Sequence, residues 1–228
     1  MIGIIAALDG EVRDIKNSME HVEAAEYGRL VFYKGTLSGK DVVLSRCGVG
    51  KVNAALCTQQ MIDHYQIDTV INVGVAGGVA KGLGVGDIVI SKDAVQYDMD
   101  ASAFGHPRGE IPNMDITYFP ADERLINLAK DAAAKVGEAA LVGRIMTADL
   151  GVASGELKAE LTEAFGGACV EMEGAAIAQT AWINELPYVV IRSISDNADD
   201  DAPEIYADHF EQSVKNAAIM VLEMVKKL

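Results

Sequence analysis

Ile2 to Ala7 is an unbroken apolar run, rich in isoleucine and closed by the polar turn LDG. A run with no polar face to offer water predicts a strand covered on both sides, and a helix is expected from about Asp9. The same rhythm continues along the chain. Leu30 to Lys34 and Val42 to Cys47 read as strands around a GKD turn; after Gly48 and Gly50, Lys51 to Tyr65 carries apolar residues at helical spacing. Thr69 to Val73 is a strand running into GVAGG, and Ile88 to Ala94 is another after LGVGD. From Gln96 to Pro120 the chain is irregular, and an excursion of that length in a compact chain is usually functional. Asp122 then caps a helix to about Lys135. Strands at Ala140 to Thr147, Ala168 to Val170 and Tyr188 to Ile194 alternate with helices at Glu156 to Ala164, Gly174 to Asn184 and Ala207 to Lys227. Such alternation predicts one α/β domain over residues 1–228, a three-layer α/β/α sandwich with a central mixed, largely parallel sheet.

The chain's 228 residues can bury one sizeable core and are few for two. A net charge of -15 repels phosphate backbones and anionic lipid, and no basic patch offsets it in the sequence. Nucleic acid and membranes are therefore not expected partners; a neutral or zwitterionic small molecule is. Cys47, Cys57 and Cys169 form no CxxC pair, and His21, His64, His106 and His209 lack metal-ligand spacing, which favours a reduced cytoplasmic setting without a structural metal. The first residues lack a basic flank and are interrupted by Asp9 and Glu11, unlike a signal peptide or membrane span.

In sheets of this kind ligands bind beyond the carboxyl ends of strands, so the informative stretches are ALDGEV, NVGVAGG, TADLGV, VEMEG and RSISDNAD. GVAGG allows backbone to come close to a ligand, or makes a tight turn; it is neither GxGxxG nor a GK[ST] loop. Glu11, Glu173 and Asp196 each lie within a few residues of an apolar strand end, where an unpaired carboxylate is costly. Each could cap a helix. Three caps at one sheet edge are a less economical account than one site. Carboxylates converging on an apolar pocket can divide a hydrolysis between activating water, holding hydroxyls and donating a proton. No serine or cysteine occupies a GxSxG-like elbow, which disfavours acyl chemistry.

GIIAALDGEV, GVGKVNAA, NVGVAGG, VGDIV, DMDASAFG, VEMEGAAIA and VIRSISDNAD, in that order along the whole chain, resemble methylthioadenosine/S-adenosylhomocysteine nucleosidases of the nucleoside phosphorylase fold family. The resemblance implies hydrolysis of the N-glycosidic bond of these adenine thionucleosides, with no cofactor. It implies that Glu11 activates water, Glu173 binds the ribose hydroxyls and Asp196 protonates purine N7. Met172 would form an apolar wall beneath the sugar, Glu171 would orient the site or pair with Arg192, and the backbone of Val152 would read the adenine edge. Val75, Ala76, Gly77 and Ser195 fall among the substrate-binding positions. Asn72 and Val75 stand where the phosphorylases of the fold hold phosphate, so water is the expected nucleophile. Two positions depart from the family pattern: Val75 replaces a common serine, and Gly151 stands where an aromatic residue usually covers the purine, leaving Leu150, Val152 or Tyr206 to do so. The irregular excursion is expected to lend Ala101, Phe104 and Pro112 to the alkylthio pocket of a second subunit in a homodimer. A sister hydrolase acting on aminodeoxyfutalosine shares the carboxylates, and a non-catalytic sensor of adenosyl compounds is the reading from a different class.

Overall fold

The computed structural model describes residues 1–137 and 140–228. β1 (Ile2–Ala6) leads into α1 (Asp9–Asn17), followed by the meander β2 (Glu20–Tyr27), β3 (Leu30–Leu37) and β4 (Lys40–Arg46). Then come α2 (Lys51–Tyr65), β5 (Thr69–Gly78), β6 (Ile88–Gln96), the short β7 (Phe119–Pro120) and α3 (Glu123–Val136). The chain ends with β8 (Ala140–Thr147), α4 (Gly155–Phe165), β9 (Cys169–Glu171), α5 (Gly174–Ile183), β10 (Tyr188–Asp196) and α6 (Ala202–Val225).

Among the described residues ten strands join one sheet, in the order β10-β6-β8-β9-β5-β1-β4-β3-β2, with β7 on β6. β10 also pairs with β5, so β5, β9, β8, β6 and β10 close into a ring. The long central ladders, β10 on β5 and β6 on β8, are parallel, and antiparallel pairing is concentrated in the β2-β3-β4 meander and the short contacts. The expected mixed sheet is therefore present, with a closure that strand rhythm could not announce.

The period of two along each strand delivers side chains to two apolar layers. In β1, Ile2, Ile4 and Ala6 pack with α1, α3 and α6, while Ile5, and Ala7 just past the strand's end, pack with α2 and α5. β10 does the same: Val189 and Ile191 go to the first layer, Tyr188, Val190 and Ile194 to the second. A third cluster, around Val95, Met146 and Val170, packs against Leu161 and Phe165 of α4.

Three expectations need correction. β2 was not foreseen; its sequence EHVEAAEY is almost wholly exposed and it pairs only with β3, so it has the charged composition of a protected edge rather than of a core strand. GVAGG is not a turn: β5 runs through it to Gly78, and Gly74, Gly77 and Gly78 have no left-handed backbone. α6 begins at Ala202, five residues earlier than predicted, with Pro203 in its first turn, where a missing N–H costs nothing.

Candidate active site

The ends of β1, β5, β9 and β10 meet at a cavity of about 350 Å³. Glu11, Glu173 and Asp196 all line it, with exposures of 3%, 4% and 7%. Each is held by a different piece of backbone. Glu11 turns back from α1 so that Oε2 accepts the N–H groups of Ala7 and Leu8, both at 2.9 Å, while Oε1 accepts from Val75 N at 3.1 Å. Burial raises its pKa, opposed by Arg192 and those three donors. Asp196 accepts from Ala198 N through Oδ1 at 2.8 Å, and Ser195 Oγ lies 2.8 Å from its Oδ2. Glu173 Oε1 accepts from Gly50 N at 2.9 Å.

Behind these carboxylates lies Arg192, 1% exposed. Its Nη2 donates to Asn72 Oδ1 at 2.7 Å, contacts Glu171 and reaches Glu173 Oε2 at 3.5 Å. Burial disfavours the guanidinium charge, but Glu171, Glu173 and Glu11 outweigh it. Glu171 is fully committed: it pairs with Arg192, takes the Thr147 hydroxyl, and accepts from Glu173 N at 3.1 Å and Gly174 N at 2.8 Å. Of the two roles left open for Glu171, the geometry supports pairing with Arg192, which also orients the first turn of α5.

The GVAGG glycines make this crowding feasible. A Cβ on Gly74 would stand 2.0 Å from Arg192 Nη1 and 2.7 Å from Glu11 Oε1; one on Gly77 would stand 2.9 Å from Asp196 Oδ1. Val75, Ala76, Gly77, Met172, Val152 and Ser195 all line the cavity. Gly151 lines it as well, beside Leu150 and Val152, with Tyr206 on another wall. Phe104 and Pro112 do not: Phe104 is 86% exposed, and neither reaches the cavity of its own chain.

Asn72, read from the sequence only as a position where a phosphate ligand is replaced, is buried and donates to Ile5 O at 2.9 Å while holding Arg192. Other contributors have no sequence signal. Thr147 and Gly50 act on Glu171 and Glu173 from a distance in sequence, and Leu8, Val49 and Pro203 line the cavity. Arg192, the one cation in the strand Tyr188–Asp196, was the detectable clue to the ion cluster.

Burial pushes Glu173 up to about 7 from 4.5, with Arg192 opposing and Glu171 adding to the rise. The fold therefore prefers the protonated acid. That preference is fully present below about pH 4.5 and is lost as pH climbs through about 7. Glu173→Gln, which cannot ionise, should gain stability relative to the parent as pH rises through that window. Melting temperatures of both proteins that keep a constant difference from pH 4.5 to 7 would contradict the assigned environment.

Residues 1–226 match the Phosphorylase superfamily. The 5′-methylthioadenosine/S-adenosylhomocysteine nucleosidase of Staphylococcus saprophyticus is 41% identical over 229 aligned positions, covering all of this chain and 98% of its own. The nucleosidase of the same name from Neisseria meningitidis, in complex with methylthio-immucillin-A, superposes with a TM-score of 0.97 at 41% identity, covering 100% and 99% of the two chains. A futalosine hydrolase of Helicobacter pylori superposes with a TM-score of 0.95 at 34% identity, covering 100% and 97%. The chain belongs to the phosphorylase superfamily and, within it, to the 5′-methylthioadenosine/S-adenosylhomocysteine nucleosidase family.

Proposed function

We propose that the protein hydrolyses the N-glycosidic bond of 5′-methylthioadenosine and S-adenosylhomocysteine, releasing adenine and 5-methylthioribose or S-ribosylhomocysteine. The carrying observation is the convergence of Glu11, Glu173 and Asp196, from three separate strand exits, on one cavity. In this reading Asp196 gives a proton to purine N7 and so makes adenine a better leaving group. Glu11 draws a proton from the attacking water; its raised pKa makes it a stronger base than an exposed glutamate, and three backbone donors fix its aim. Glu173 holds the ribose hydroxyls, and the cluster's negative charge stabilises the oxocarbenium character that develops as the base departs. Met172 supplies an apolar surface under the sugar. Tyr206, whose phenol is pushed up by burial and then by Glu11, Asp196 and Glu173, stands close enough to this cluster to cover the purine face that Gly151 leaves open.

Water is favoured over phosphate as nucleophile because the cation behind the site, Arg192, is already shared between Asn72, Glu171 and Glu173. A phosphate entering here would face carboxylates with no uncommitted guanidinium.

The same reading includes a homodimer in the cytoplasm. Val52 and Leu56 on α2 and Trp182 and Ile183 on α5 are exposed on helices that pack together, an apolar face of the kind that supports a two-fold interface. It would let Ala101, Phe104 and Pro112 reach a neighbour's alkylthio pocket. Sedimentation showing a fully active monomer at assay concentration would remove this element. Cys47, Cys57 and Cys169 are buried thiols without a disulfide, which suits a reducing compartment; among the described residues no helix is long and apolar enough to cross a membrane.

Adenine release from the two thionucleosides and from aminodeoxyfutalosine tests the assignment. Hydrolysis of the thionucleosides at the higher kcat/KM, unaffected by phosphate and without ribose 1-phosphate, is the expected result. A reversed preference would transfer the protein to the futalosine-type hydrolases its fold also matches. Binding without turnover would make it a sensor.

A further inference from the structure

We propose that Asp149, closed into a ring with Lys51 and Asp98, is the positioning residue for Glu173; the inference rests on the ribose role given to Glu173 above. α2 has no acidic residue in its first turn and no side-chain cap of its own, and Gly50 precedes it with φ at 99°. Two carboxylates from distant parts of the chain take its leading N–H groups. Gly50 N donates to Glu173 Oε1 at 2.9 Å, and Lys51 N donates to Asp149 Oδ1 at 2.8 Å. These donors are consecutive on one turn, so anchoring the second fixes the first.

Asp149 is itself anchored. Its N–H donates to Asp98 Oδ2 at 3.2 Å, and Asp98 Oδ1 accepts from Lys51 Nζ at 2.6 Å, which closes the ring on the residue whose backbone it began with. Lys51 Nζ donates further to Gln96 Oε1 at 3.1 Å, and Gln96 Nε2 to Gln179 Oε1 on α5 at 2.5 Å. The ring thus ties the start of α2, the end of β6 and the exit of β8 to the helix that follows Glu173. A Cβ on Gly50 would approach Asp149 Oδ1 to 3.0 Å, so the turn fits closely against this carboxylate. Val49 and Leu150, the neighbours of Gly50 and Asp149, line the cavity. GVGK, YDMD and TADL, three stretches without a catalytic role, acquire one common purpose.

The test compares kcat/KM for 5′-methylthioadenosine and its 2′-deoxy analogue, which lacks a hydroxyl that Glu173 would hold. Asp149→Ala should lower the value for the ribonucleoside about tenfold and that for the deoxy analogue less than about threefold. Asp149→Asn keeps an oxygen for Lys51 N and should recover most of the loss. Should Asp149→Ala not fold, Lys51→Met leaves the backbone donor in place, removes the anchor of Asp98, and should shift the ratio in the same direction. Equal losses on both substrates, or none, would overturn the inference while wild-type adenine release leaves the functional reading standing. Absence of wild-type release would overturn both.

Discussion

Asp196→Asn should reduce kcat by a factor on the order of 10² to 10⁴ without changing the melting temperature. The local bonds predict both halves of that result. An asparagine can keep its oxygen toward Ala198 N and turn its amide toward Ser195 Oγ, whose hydroxyl can then donate to Ala76 O, 3.3 Å away. Nothing is left unpaired, and only the transferable proton is gone. Glu11→Gln should cost a similar factor in rate, but it cannot be silent in stability. Both oxygens of Glu11 accept backbone N–H groups, so a glutamine amide must face at least one donor with another donor. A loss of about 1–3 kcal/mol is expected from that mismatch. Single-turnover rates and thermal melts on the two variants separate chemistry from folding. Asp196→Asn retaining a rate within about threefold of the parent would remove the proton-donor role from this carboxylate.

What the sequence disclosed and what it hid divide along physical lines. Runs such as Ile2–Ala6 and 188–191 are buried end to end, and a buried stretch with no polar group to satisfy is apolar throughout, so its composition reveals it. β2 escapes because an edge strand in water needs no such composition. The three carboxylates were legible for the converse reason: charge beside apolar strand ends is expensive, and it stands out. Lys51, Asp98 and Asp149 did not stand out as a unit, because polar residues near turns are ordinary on any surface and only the folded chain brings them into a ring. The role of the GVAGG glycines was half visible. Close approach was foreseen, but the residues approaching, Arg192 and Glu11, lie on other elements whose register no local pattern specifies.

That register leads to the variant with the largest expected effect on stability, Gly74→Ala. Parallel pairing of β10 with β5 sets Arg192 directly opposite Gly74. An added methyl would occupy the position of Nη1, at 2.0 Å, and press on Arg192 Cζ at 3.2 Å and Glu11 Oε1 at 2.7 Å. The guanidinium cannot step aside cheaply, since Nη2 is bound to Asn72 and Glu171 and the whole side chain is buried. Accommodating the methyl therefore means breaking the buried ion cluster, for which a loss of about 3–5 kcal/mol is expected. Activity should fall with it, because Glu11 and the support of Glu173 are displaced together. Gly84→Ala is the matched control: its Cβ would meet only Asp87 Oδ2, at an ordinary 3.8 Å, and its backbone is not left-handed. There the lower entropy of the unfolded chain should leave stability unchanged or raised by about 0.4–1 kcal/mol. Urea unfolding of both variants decides the matter. If Gly74→Ala matched Gly84→Ala in midpoint and kept its activity, Arg192 would not be packed against β5 as described, and the electrostatic account of the site would fall with that contact.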